Sequence, residues 1–220
     1  MLAAELKQYM QQKREILTDA HATRLHRAIS WLNCAEQQAA EADLQFISLW
    51  IGFNACYGVA EEKLQSLAER EMFQRFIYKL VKHDQHKAIY TALWETYSGP
   101  VKALIKNPYV FQPFWLAQRG DVQMADEWRS RFDQSSVAAL NALSRQQVAE
   151  LLGIVLDRLY VLRNQIMQGG ATFQSSVNRA QVQDGCRMLN HLLPIIIRIM
   201  LNAADEDWGE ISYPVVSISV

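Results

Sequence analysis

Apolar residues recur three and four positions apart through most of this chain, while strand-type alternation is nearly absent before the C-terminus, and this predicts an all-α fold. A polar first helix over residues 3–16 leads into a helix over 19–40 whose stripe is Leu25, Ile29, Leu32, Cys34 and Ala35. Asp43 is placed to cap a third helix, apolar on most sides through Phe46, Ile47, Trp50, Ile51 and Phe53, with Asn54 as its conspicuous polar residue and Gly58 near its end. That helix belongs at the centre of a bundle. Further helices are predicted over 66–82 and 85–97, followed by a break at Ser98-Gly99-Pro100 and a short helix to Lys106.

Residues 107–115 mix Pro108 and Pro113 with Tyr109, Phe111, Phe114 and Trp115, a composition that predicts an ordered, packed loop within an insertion over 98–143. Helical sequence resumes over 121–133, and Ser144-Arg145-Gln146-Gln147 matches a capping box at the head of the next long helix. Val148, Leu151, Leu152, Val155, Leu159 and Leu162 form its apolar stripe and place Gly169 where a left-handed C-cap is expected. A last helix is predicted over 178–203, and the tail beyond residue 211 is expected to be extended. The apolar run from Leu192 to Leu201 is too short for a membrane span and is interrupted by Arg198. Together these elements are read as one domain over 1–220, with a core over 19–203 and a tail over 204–220.

Composition narrows the chemistry. The formal net charge of -1 gives no overall basic footprint for nucleic acid, so an RNA site must be a local cluster of Arg and Lys. Cys34, Cys56 and Cys186 are widely spaced on helical patterns and read as reduced core thiols, not as a disulfide framework or a zinc site. The N-terminal residues acquire charge too early for a signal peptide, so a cytoplasmic location is expected. No metal or cofactor is called for, and no membrane partner.

The densest gathering of polar groups is Arg163-Asn164-Gln165-Ile166-Met167-Gln168-Gly169-Gly170, at the end of the long helix. Asn164 and Gln168, four apart, share a helix face, whereas Arg163 and Gln168 are roughly 140° apart around the axis, an offset arginine can span. Arginine can hold a phosphate and its developing charge, but glutamine cannot exchange protons near neutral pH. A histidine at position 168, favoured as its cation by the negative helix end, would serve as a proton donor or acceptor in phosphodiester cleavage. RNA supplies its own nucleophile through the 2′-hydroxyl.

Together with Leu49-Trp50-Ile51-Gly52-Phe53-Asn54-Ala55-Cys56-Tyr57-Gly58, this motif resembles a HEPN domain, in particular its Apea-like branch, over residues 24–203. The resemblance implies a HEPN-like helical bundle that homodimerises to assemble one cleft from two copies of an Arg-polar-spacer-His motif. It also implies metal-independent endoribonuclease activity in a toxin-antitoxin or phage-defence system, with a cognate antitoxin or defence protein as a further partner. Arg163 and Asn164 match the motif, and Gln168 stands where the family has His. His and Gln codons differ by one base, and the substitution predicts impaired catalysis.

Asn54 is open between a hydrogen-bonded core residue and a support for the motif, and Tyr57 between core and support. Asp157 either orients a basic side chain or forms a helix-surface ion pair. Arg158, Arg179 and Arg187 are candidate RNA-phosphate contacts, and the aromatic segment 109–115 either packs on the core or stacks bases. Lys82, His83, His86 and Lys87 read chiefly as a solvated helix junction, and His21 and His26 miss metal-ligand spacing. The alternatives are a non-catalytic HEPN-like RNA-binding or protein-interaction module, and, less supported for want of a glycine-rich phosphate loop, a nucleotide-binding regulatory bundle.

Overall fold

The computed structural model describes residues 2–58 and 67–215, with only the backbone for 67–70. Among these residues the fold is all-α and contains no strand. In order the helices are α1 (Ala3–Gln12), α2 (Asp19–Gln37), α3 (Ala42–Tyr57), α4 (Leu67–His83), α5 (Ala88–Tyr90), α6 (Ser98–Lys106), α7 (Gln112–Gln118), α8 (Val122–Ser144), α9 (Val148–Met167) and α10 (Arg179–Asn202). No helix among the described residues is long and apolar enough to cross a membrane. The expected tail over 211–220 is described only to Val215, and Ser66, the expected start of α4, also lies outside the described residues.

Contacts divide the chain into two compact units, residues 1–85 with 189–220 and residues 86–188. The segment expected as an insertion, 98–143, therefore falls within the second unit together with α9. In the first unit α2 supplies Leu25, Ala28, Ile29 and Leu32, α3 supplies Phe46, Leu49 and Phe53, and the later part of α10 supplies Leu192, Leu193, Ile196 and Met200, all buried. Burial of these stripes against one another is the main stabilising term. Gly52 sits where the packing is close: a Cβ there would lie 2.8 Å from Leu193 Cδ2, a side-chain end that would have to shift, and 3.3 Å from the Ala28 carbonyl.

Two polar clusters fasten residues 206–210 within the same unit. Arg24 is buried, and its guanidinium donates to the carbonyls of Cys56 (2.7 Å), Gly58 (3.2 Å), Gly209 (2.9 Å) and Glu210 (2.9 Å). It thus satisfies the carbonyl end of α3 and holds residues 209–210 against it. In the second cluster the Glu206 carboxylate meets Lys79 (3.3 Å), Lys82 (3.0 Å) and His83 (2.7 Å). Hydrogen bonds from His83, Lys82 and Lys79 hold that carboxyl down to about 2. The Lys82–His83 junction is in this way an ion-pair cluster.

Several local expectations are corrected. Glu41, not Asp43, occupies the N-cap of α3, and Asp43 is buried in the first turn. The single helix expected over 85–97 begins at Ala88, after Lys87 in a left-handed conformation, and widens into a π-type turn over Thr91–Thr96. Ser98-Gly99-Pro100 is the first turn of α6 instead of a break, where proline needs no N–H. Residues 107–115 are not irregular: a 3-10 turn at Pro108–Val110 runs into α7, with Pro113 at its start. Ser144-Arg145-Gln146-Gln147 is not a capping box, because α8 continues through Ser144 and its hydroxyl turns back to the Asn141 carbonyl (3.1 Å).

Candidate functional site

Within the second unit α9 presents two differently used faces. One packs inward through Leu151, Leu152, Val155, Leu156, Leu159 and Leu162. The other carries Asp157, Tyr160, Asn164 and Gln168 at four- and three-residue spacing, with Arg163 and Met167 alongside. Asp157, Tyr160, Met167 and Gln168 are exposed and Arg163 and Asn164 half-buried. The sequence-predicted motif is therefore brought together on one outward helix end.

Arg163 Nη1 donates to Asn164 Oδ1 at 2.8 Å, which steers the guanidinium along the helix surface. Its Nε is buried without a hydrogen-bond partner, and its charge lies 6.0 Å from the centre of the Tyr160 ring. A buried N–H left unpaired is costly, and a bound acceptor would relieve it. Gln168 follows the last turn, its own N–H bonded to the Asn164 carbonyl at 3.0 Å. Gly169 then adopts φ +68°, so that its N–H reaches the Ile166 carbonyl (3.2 Å) and that of Gly170 reaches the Gln165 carbonyl (2.7 Å). This Schellman closure stops the helix where the glycines predict and leaves the Gln168 side chain in solvent.

Arg158 is not an RNA contact. It is 1% exposed, donates to Ser135 Oγ (2.9 Å), and stacks its guanidinium over Phe111 (4.3 Å) and Phe132 (5.4 Å). Desolvation, opposed by the neighbouring Asp157 charge, pulls it down to about 10. Asp157 is thus exposed beside a basic side chain that points into the core.

Arg179 donates through Nε to the Ser175 carbonyl at 2.9 Å, within the loop that leads into α10. Arg187, two turns further along and exposed, pairs with Asp184 at 3.2 Å. In the first unit Tyr57 belongs to an aromatic cluster with Phe53 (6.3 Å), Phe73 (5.1 Å) and Phe76 (5.6 Å). Asn54 is half-buried, and its carbonyl closes α3 by accepting from the Gly58 N–H.

Two participants carry no role in the sequence reading. Gln165 donates through Nε2 to the Tyr109 carbonyl and accepts at Oε1 from Asn178 Nδ2 (2.9 Å). Seven positions from Arg158, it sits on the same side of α9, about 10.5 Å along the axis. Arg158 beneath Phe111 and Gln165 on Tyr109 thus pin the aromatic segment to the motif helix at two points. The available signal was that seven-residue spacing opposite an aromatic-rich segment. Compared with family models, curated proteins and solved structures, the chain matches none.

Proposed function

We propose that this protein belongs to the HEPN endoribonuclease lineage and binds RNA phosphate at the end of α9, as a homodimer in which two copies of Arg163, Asn164 and position 168 line one cleft. The observation that carries this reading is the half-buried Arg163 guanidinium, steered by Asn164 and with its Nε unpartnered, on the helix end where residue 168 is exposed. A non-bridging phosphate oxygen matches its charge, and reaches the covered Nε only once the guanidinium turns outward. Tyr160 and Met167, 47% and 53% exposed on the same face, are apolar area for a second copy of the helix to cover.

The lineage reaction is transfer within the RNA. The 2′-oxygen attacks the adjacent phosphorus and loses its proton, the bond from phosphorus to the 5′-oxygen breaks, and that oxygen takes up a proton. The products are a 2′,3′-cyclic phosphate and a 5′-hydroxyl. Arg163 stabilises the charge on phosphate and Asn164 orients Arg163. Gln168 occupies the proton carrier's place but moves no proton, which costs about 10²- to 10⁴-fold in rate. This chain is accordingly a weakened or silent nuclease that keeps its RNA site, in a toxin-antitoxin or phage-defence setting with a neutralising partner.

Expression of Gln168→His is expected to arrest growth, and adding Arg163→Ala is expected to abolish the arrest. If Gln168→His is harmless and its purified form binds RNA without cutting it, the non-catalytic HEPN-like reading replaces this one. The feature that favours that second reading is Gln168 itself, a hydrogen-bonding group without a transferable proton.

A further inference from the structure

We propose that the outward face of α8 is a self-association surface, on which a second copy of this chain lays its own α8 antiparallel, about a two-fold axis level with Arg131, so that Arg129 of each copy meets Asp133 of the other. This surface is separate from the α9 end and independent of the RNA reading. Inside the second unit α8 packs through Met124, Ala139 and Ala142, with Trp128 on Phe114 and Phe132 on Phe111. Its opposite side is exposed and carries a shallow groove lined by Asp126, Arg129, Ser130, Asp133, Val137 and Asn141. Val122, Val137 and Leu140 keep 81%, 56% and 42% of their surface exposed there.

The charges of this face single out a second copy as the partner. Glu127 and Arg131, four apart with the acid first, close an ion pair at 2.6 Å beside the face. Arg129 and Asp133 have the same spacing in the reverse order, the less favourable one on a helix, and form no ion pair among the described residues; the Arg129 guanidinium lies over Trp128 at 5.4 Å instead. An antiparallel copy supplies each charge with its opposite. Arg129 and Asp133 stand two residues on either side of Arg131, and Val122 and Leu140 stand nine on either side, so a single register sets arginine against carboxylate and Leu140 against Val122. Val122 and Leu140 are five full turns apart and therefore lie in line along the face. Gln123 and Asn141 repeat that spacing on its other edge, where their amides can pair across the two copies. Ser130, next to the axis, is small enough to let the helices approach, and the two-fold axis makes every match twice.

The test is sedimentation of the full chain over a concentration series, with helical content checked by circular dichroism. Leu140→Glu is expected to weaken association at least about tenfold. Arg129→Asp and Asp133→Arg each weaken it about tenfold, and the two combined restore it, because the reversed charges still match. Ser130→Cys places two thiols about 3 Å apart along the helix axes, so that oxidation links the copies, whereas Asn141→Cys places them about 30 Å apart and gives no link. Both positions are exposed, so these two changes leave the fold intact. Failure of the combined reversal to restore association, or equal linkage at both cysteines, overturns the pairing. The same series separates this surface from the α9 dimer. With both pairings the wild type assembles beyond two chains, and Leu140→Glu leaves two. A wild-type dimer that Leu140→Glu makes monomeric supports the α8 pairing and removes the α9 one. A dimer that Leu140→Glu leaves unchanged overturns the α8 pairing and keeps the α9 one, and a chain monomeric at every concentration overturns both.

Discussion

Two arginines five positions apart on one helix show how far residue identity alone carries. Arg163 is half-buried and ends beside solvent, while Arg158 is buried under two phenylalanine rings with Nε and Nη1 unpaired. Both read as phosphate ligands in the sequence, because the side a long cation takes depends on partners far away in the chain, here Phe111, Phe132 and Ser135. His21 shows the same dependence. It is 5% exposed near Trp208, and burial, reinforced by the Arg24 charge, lowers it to about 4 from 6.5. The unfolded chain therefore binds more protons than the folded one between those values, so its stabilising share is present above pH 6.5 and is lost as pH falls toward 4. Each pH unit of that window carries at most about 1.4 kcal/mol. Thermal melts across the window should show a falling limb that His21→Leu largely removes; an unchanged limb would place the titrating group elsewhere.

At the scale of elements, the long helices were legible, α7 was not, and helix ends were legible only where the local chemistry is conventional. Two helices close with the same Schellman geometry. α9 closes through Gly169, which the sequence announces. α8 closes through Gln146 at φ +56°, with the Gln146 N–H on Leu143 (3.4 Å) and the Gln147 N–H on Ala142 (2.9 Å). No glycine marks that second turn, so the run from Ser144 passed for a helix start. Residues 107–115 misled for the opposite reason: both prolines lie in first turns, where they favour a helix instead of ending one. Because nothing lies within 4 Å of a Cβ built on Gly169, Gly169→Ala should cost only the left-handed backbone term, about 1 kcal/mol, and Gly169→Asn less. Denaturant unfolding measures both, and equal stability of all three chains would argue against this closure.

At the scale of the molecule, the all-α class and the gathering of Arg163, Asn164 and Gln168 on one helix end were readable from period and spacing. The aromatic segment's attachment to α9 was not, since it rests on Gln165 and Arg158 meeting a segment some 50 residues earlier, a pairing that no local pattern encodes. Nor was the Arg24 clamp on residues 209–210, which joins positions at opposite ends of the sequence. The most direct measurement of the central claim is the chemistry of the ends left when purified Gln168→His is incubated with RNA in the presence of a metal chelator. The account predicts 2′,3′-cyclic phosphate and 5′-hydroxyl termini, lost on adding Arg163→Ala. Intact RNA, or 3′-hydroxyl and 5′-phosphate termini, would contradict it.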